Sequence, residues 1–283
     1  MNKVQLYNKV TMPLLGFGVF QITDSKECEM SVLHALQTGY RMIDTAACYG
    51  NERAVGNAVK KSGIQRNEIF LVSKVWIQDA GYESTKTSFY KTLENLQTEY
   101  LDLYLIHMPL GDYHGSWKAM EELYKEGKIK AIGVCNFGMD RLMDLILTHE
   151  IKPMINQIEL HPFTQQKKLL EFMNKYAIQP MAWAPFAEGK NNIFQNDLLV
   201  EIGKCHKKTS AQVILNWLLS SNIIAIPKSV HSERIQENFN IFDFSLSQKE
   251  LTQIKQMDTD NPLILDINSV EEVLRLHDIR FIQ

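Results

Sequence analysis

Arg41-Met-Ile-Asp44-Thr-Ala-Ala-Cys-Tyr49-Gly-Asn-Glu52 is a short apolar run that ends on an acid and turns, through small residues, onto a tyrosine. Alone it decides little. An Asp after a strand commonly caps the next helix, and a Tyr beside a Gly commonly packs in a loop. Two later runs repeat the pattern: Phe70-Leu-Val-Ser-Lys74 ends on an amine, and Leu101-Asp-Leu-Tyr-Leu-Ile-His107 ends on an imidazole. Apolar strands that each finish on a titratable side chain point to one site spread over the mouth of a barrel.

Working outward, residues 4–12 alternate about a turn at Asn8-Lys9 and read as a hairpin. Strand patterns then fall at residues 14–17, 42–44, 70–75, 101–107, 129–134, 154–159, 179–183 and 223–226. Helical patterns separate them at 24–38, 51–61, 84–96, 116–126, 139–147, 165–176 and 210–219, the first with Asp24 or Ser25 as cap and Gly39 as stop. About eight strands alternating with helices predict an α/β fold of the (β/α)8 TIM-barrel type. No linker-like stretch divides the chain, so residues 1–283 are expected to form one domain. The tail 262–283 is expected to wrap the outside or cap one end. Gly16 and Gly18 do not form GxGxxG, and the acid about twenty residues on is missing, which argues against a Rossmann unit.

Of 283 residues, 45% are hydrophobic, enough for a sizeable core without disulfides or metals. A net charge of −3 offers no footprint for nucleic acid or anionic membrane. Cys28, Cys48, Cys135 and Cys205 are far apart and read as reduced thiols, with no metal site. The first residues lack the apolar core of a signal peptide. The charge-free stretch 209–227 reads as a buried helix and strand rather than a membrane span. The expectation is a soluble, cytoplasmic protein.

At the strand ends, Asp44 and Lys74 are expected to pair, and an ammonium beside the phenol is expected to lower the pKa of Tyr49. Tyr49 then serves as general acid toward a carbonyl oxygen, which His107 orients. Fixed donors would stabilise the developing alkoxide. The plainer reading makes Lys74 a structural ion pair and His107 a core histidine. A second constellation follows the last strand: Ile226-Pro-Lys228-Ser229-Val230-His-Ser-Glu-Arg234-Ile-Gln-Glu237-Asn238. Barrels often bind phosphate there. Lys228 offers a point charge and Arg234 a planar fork. If a helix begins at Ser232, Arg234, Glu237 and Asn238 share a face; the plainer reading is a solvated helix with an internal Arg–Glu pair.

Asp44-Thr-Ala-x-x-Tyr49-Gly-Asn-Glu52, the Lys74 strand, Leu105-Ile-His107-x-Pro109, Gly133-Val-x-Asn136-Phe137, Asn156-Gln157-x-Glu-x-His161-Pro162 and Ile226-Pro-Lys228-Ser229 together resemble the aldo-keto reductase family. The likeness is greatest to its bacterial 2,5-diketogluconic acid reductase and prostaglandin F synthase-like branch. It runs in order along essentially the whole chain. It implies NADPH-dependent reduction of aldehydes and ketones by a tetrad of Asp44, Tyr49, Lys74 and His107. By the same resemblance, Asn136 and Gln157 would hold the nicotinamide carboxamide and Trp183 would stack on its ring. Lys228, Ser229, Val230, Arg234, Glu237 and Asn238 would receive the adenosine phosphate end, giving a preference for NADP. Phe20, Tyr49, Trp76, His107 and Met108 would line the substrate pocket.

Three departures bear on that pocket: Cys135 for the usual Ser, Val19-Phe20 for Thr-Trp, and Met108 for a common Trp. The first weakens a carboxamide contact, since a thiol is a poor donor. The tail also looks short for a segment that closes over substrate. Two rivals stand beside this reading: Schiff-base chemistry on Lys74, and an NADPH-binding sensor or regulatory subunit without turnover. The resemblance further implies a small-molecule carbonyl substrate and a monomer or weak dimer.

Overall fold

The computed structural model describes residues 2–281. A hairpin of β1 (Lys3–Gln5) and β2 (Thr11–Pro13) precedes the barrel, turning at Asn8 and Lys9. Then β3 (Phe17–Gly18), α1 (Ser25–Thr38), β4 (Met42–Asp44), α2 (Glu52–Lys61), β5 (Phe70–Val75), α3 (Tyr82–Leu96), β6 (Leu103–Ile106) and α4 (Tyr113–Lys125) alternate. They are followed by β7 (Ile132–Cys135), α5 (Met139–Thr148), β8 (Ile155–Glu159), α6 (Lys167–Lys175) and β9 (Gln179–Trp183). The last barrel stretch is α7 (Asp197–His206), α8 (Ser210–Ser220) and β10 (Ile224–Ala225), and α9 (Ser232–Phe239), α10 (Gln248–Lys255) and α11 (Val270–Asp278) complete the chain.

Strands β3 to β10 pair in parallel with their sequence neighbours. The sheet closes where Leu15 bridges Ala225 and the Gly18 amide donates to Pro227 O at 3.0 Å. This is the (β/α)8 barrel that the alternation predicts. Strands covered on both faces must be apolar along their length, and β4 to β8 are buried at every position. Close packing leaves no room for variation at Gly133 in β7, where a Cβ would lie 2.7 Å from Ile155 O.

Element boundaries follow the sequence to within a few residues. The Asp24 carboxylate caps α1 by accepting from the Glu27 amide at 2.8 Å, and Gly39, at φ 121, ends it. Helices α7, α10 and α11 have no counterpart in the sequence reading. The segment before α7 is irregular, with left-handed backbone from Ala187 to Asn192 interrupted only at Lys190. Among the described residues no helix is long and apolar enough to cross a membrane, and no cluster of metal-ligating side chains is present.

The tail caps one end of the barrel, and that end is the mouth. Buried Glu159, the last residue of β8, accepts backbone N–H bonds from Leu263, Ile264 and Leu265 at 2.8–3.2 Å. Leu276 of α11 then packs on Trp76, Ile77 and Met108. The Trp76 indole donates to Ile279 O at 3.2 Å. Its shortness therefore does not keep the tail from covering the site.

Candidate active site

The site is assembled from the residue types that end the barrel strands. Beyond Asp44, Ala46 is extended and Ala47–Tyr49 forms one 3-10 turn, closed by Gly50 at φ 68. Side chains this small allow the chain to fold back at once, and Gly50 supplies the left-handed residue the turn needs. Asn51 makes no helix cap. Its amide donates to Val19 O and Ile22 O at 2.9 and 3.1 Å, tying this loop to the exit of β3.

Asp44 does not cap a helix either. Its Oδ1 receives Lys74 Nζ at 2.6 Å, and its Oδ2 receives Gln157 Nε2 at 2.8 Å from across the barrel. Lys74 also donates to Thr45 O at 2.8 Å and is wholly buried. An ion pair this deep persists because each partner compensates the other and the remaining polar groups are bonded.

Tyr49 stands edge-on to His107 with ring centroids 5.6 Å apart, and Lys74 Nζ lies 5.1 Å from the Tyr49 ring centre. Its hydroxyl takes no hydrogen bond from any described residue and is not sealed from solvent. One expectation is corrected. Burial, then the negative charge of Asp44, pushes the Tyr49 phenol well above 10.0 instead of lowering it. The Lys74 ammonium does not offset this, since both Asp44 and Thr45 O already hold it. Burial, with Lys74 beside it, keeps His107 well below 6.5, so the ring is neutral near pH 7. The mouth thus presents a protonated phenol and a neutral imidazole side by side.

Around them lie the expected lining residues. Phe20, half exposed, sits 4.9 Å from the Tyr49 ring, and Trp76 is edge-on to His107 at 5.0 Å. Met108 is buried beneath the tail. Asn136, at φ 63, donates to His107 O at 3.2 Å and accepts the Trp183 indole N–H at 2.8 Å. Trp183 is partly buried at the end of β9. Cys135 and Val19 are fully buried.

The second constellation forms at the rim. Helix α9 begins at Ser232; its N-cap residue His231 makes no side-chain cap, and the Glu233 carboxylate takes its own backbone amide. Lys228 and Arg234 are exposed and have no ion pair or hydrogen bond with any described residue. Ser229 is buried and accepts the His231 amide at 3.1 Å, while Val230 packs partly on the core. Glu237 does not pair with Arg234. Its carboxylate takes the Thr209 hydroxyl at 2.7 Å, pinning α9 to the start of α8, and Asn238 turns inward and is buried. Two cations without a partner among the described residues, beside the start of a helix, are a donor set suited to a phosphate ester.

Sequence reasoning missed Glu159 as the tail's anchor and Cys48 as a neighbour of His107. The signal available for both was position: an acid ending an apolar run, and a thiol next to the phenol.

A sequence profile described as the aldo/keto reductase family matches residues 14–259. The chain belongs to the aldo/keto reductase family. This reductase is 48% identical over 258 residues to "Glyoxal reductase" of Bacillus subtilis (strain 168), covering 91% of this chain and 93% of that one. It is 41% identical to "Methylglyoxal reductase DkgA" of Escherichia coli (strain K12), over 90% of this chain and 93% of that one. Among solved structures it matches a mutant of Gox0644 in complex with NADPH with a TM-score of 0.90 and 37% identity, over 95% of this chain and 98% of that one.

Proposed function

We propose that this chain reduces small uncharged aldehydes and ketones, α-oxoaldehydes among them, with Tyr49 as proton donor and His107 as the group that orients the carbonyl. Its reaction class is NADPH-dependent carbonyl reduction, an oxidoreductase chemistry. The observation that carries the residue roles is the pair of unpartnered groups, the Tyr49 hydroxyl and one His107 ring nitrogen, beside a cation already bound to Asp44.

NADPH supplies the hydride when bound. The rim fits its adenosine phosphate: Lys228 and Arg234 would meet the charge, helped by the α9 amides and Ser229. Val230, Glu237 and Asn238 would shape that end. Asn136, Gln157 and Trp183 would hold the nicotinamide end. At the reacting centre, Tyr49 keeps its proton until charge develops on the carbonyl oxygen, then donates it. His107 donates a second hydrogen bond to that oxygen. Lys74 and Asp44 hold a fixed local dipole beneath the phenol, and Gln157 fixes the second Asp44 oxygen. Phe20, Trp76 and Met108 present an apolar wall, which favours an uncharged substrate. The relatives named for glyoxal and methylglyoxal reduction support the α-oxoaldehyde class.

We further infer one domain over residues 1–283, acting as a monomer or weak dimer in the cytoplasm, where the four free cysteines would stay reduced. The test is NADPH consumption, beside NADH, against glyoxal, methylglyoxal, aromatic aldehydes and ketones. Turnover that prefers NADPH and disappears in Tyr49→Phe is the expected result. Clear NADPH binding without turnover on any carbonyl would overturn it in favour of a sensor.

A further inference from the structure

His107 Nδ1 lies 3.4 Å from Sγ of Cys48, within hydrogen-bond range for sulfur. Cys48 belongs to the same 3-10 turn that carries Tyr49, and packs partly buried against the wall of Trp76, Met108 and Leu276. The other ring nitrogen of His107 has no partner among the described residues and is not sealed from solvent. It is therefore the nitrogen that opens to the mouth. A neutral imidazole carries one proton, and the hydrogen bond made by one nitrogen decides which of the two bears it.

We propose that Cys48 is a positioning residue: its S–H donates to His107 Nδ1 and holds the neutral ring as the Nε2–H tautomer. This deepens the function proposed above, on which the role of His107 rests. The direction of the bond follows from where the protons are. Burial pushes the Cys48 thiol up to about 12, so it keeps its proton. His107 is held well below its ordinary value, so its ring carries a single N–H. A thiol proton facing a bare nitrogen is the matched pair. The opposite tautomer would place N–H against sulfur and turn a bare lone pair toward the carbonyl oxygen, where it has nothing to donate. Cys48 needs no bond making or proton loss in this role.

The test reads the ring directly. Protein labelled with 15N at the histidine rings, without cofactor, is examined by NMR, with His107 assigned by its loss in His107→Asn. The wild type is expected to show a protonated Nε2 and a bare Nδ1. Cys48→Ala is expected to shift the ring toward a mixture of tautomers and to lower kcat roughly three- to tenfold, the worth of one neutral hydrogen bond. Its KM for NADPH should stay unchanged. Cys48→Ser, which restores a donor, should recover both the spectrum and most of kcat. A Cys48→Ala protein with wild-type kcat and an unmixed Nε2–H ring would overturn the proposal. So would equal losses in Ala and Ser variants with the His107 signals unmoved, since that marks packing alone. A wild type with the Nε2–H ring but no carbonyl turnover would sink the functional reading and leave the tautomer assignment standing.

Discussion

Lys74 and Lys228 both lie near the C-terminal ends of barrel strands, yet their surroundings are opposite. Lys74 is sealed in, bonded to Asp44 and to Thr45 O, and Asp44 is bonded in turn to Gln157. Lys228 stands in solvent beside Arg234, and neither has a partner among the described residues. The centre of the mouth is thus arranged by folding itself. The rim waits for its counter-charge, and water and salt weaken what it can offer. On the roles proposed above, chemistry falls to the bonded, buried centre and cofactor choice to the exposed rim.

The sharpest test of the centre is Tyr49→Phe, which removes only the hydroxyl. We expect kcat to fall by about 10²–10⁴-fold, the usual worth of a positioned general acid, with NADPH affinity by fluorescence titration little changed. Next is Lys74→Met, which leaves Asp44 buried without its cation. It should cost about 3–5 kcal/mol in urea unfolding, and adding Asp44→Asn should recover much of that loss. If Lys74→Met unfolds like wild type, the centre is not held together as described.

At the rim, Arg234→Ala should raise KM for NADPH by about tenfold, as loss of one charge-assisted bond in solvent implies. KM for NADH and the midpoint of thermal unfolding should stay put. The wild-type KM for NADPH should climb with added salt, while kcat should not. A kcat that fell in step would erase the distinction between the two regions.

The smallest effect expected is a flat pH profile. On the proposed mechanism reduction needs neutral His107, which is lost only as pH falls through a value well below 6.5. It also needs the protonated Tyr49 phenol, lost only as pH rises above 10.0. Between those limits kcat for reduction should be level. A limb falling near pH 8 would mean that Lys74 does lower the phenol.

The barrel and the polar groups at its strand ends were readable because strands covered on both faces admit polar residues only where something needs them. Asp44, Lys74 and His107 each break an apolar run at its end, and that is visible without coordinates. Contacts between distant segments were not. Nothing local says that Glu159 receives amides from a segment about a hundred residues on, or that Glu237 prefers Thr209 to Arg234. Local chemistry also misled at Tyr49, where a nearby ammonium suggested a lowered pKa. The Asp44–Lys74 pair was expected from the sequence; that burial and the Asp44 charge outweigh the ammonium at the phenol needed the fold. Helix α7 was missed because the turns before it follow no period.

Glu159's grip on Leu263–Leu265 has a consequence for how the protein is made. The wall of the mouth formed by Leu276, Ile279 and Phe281 is synthesised only after all eight barrel strands. The barrel strands are complete long before the pocket is. A nascent chain can therefore have its full complement of barrel strands and still lack one wall of the mouth.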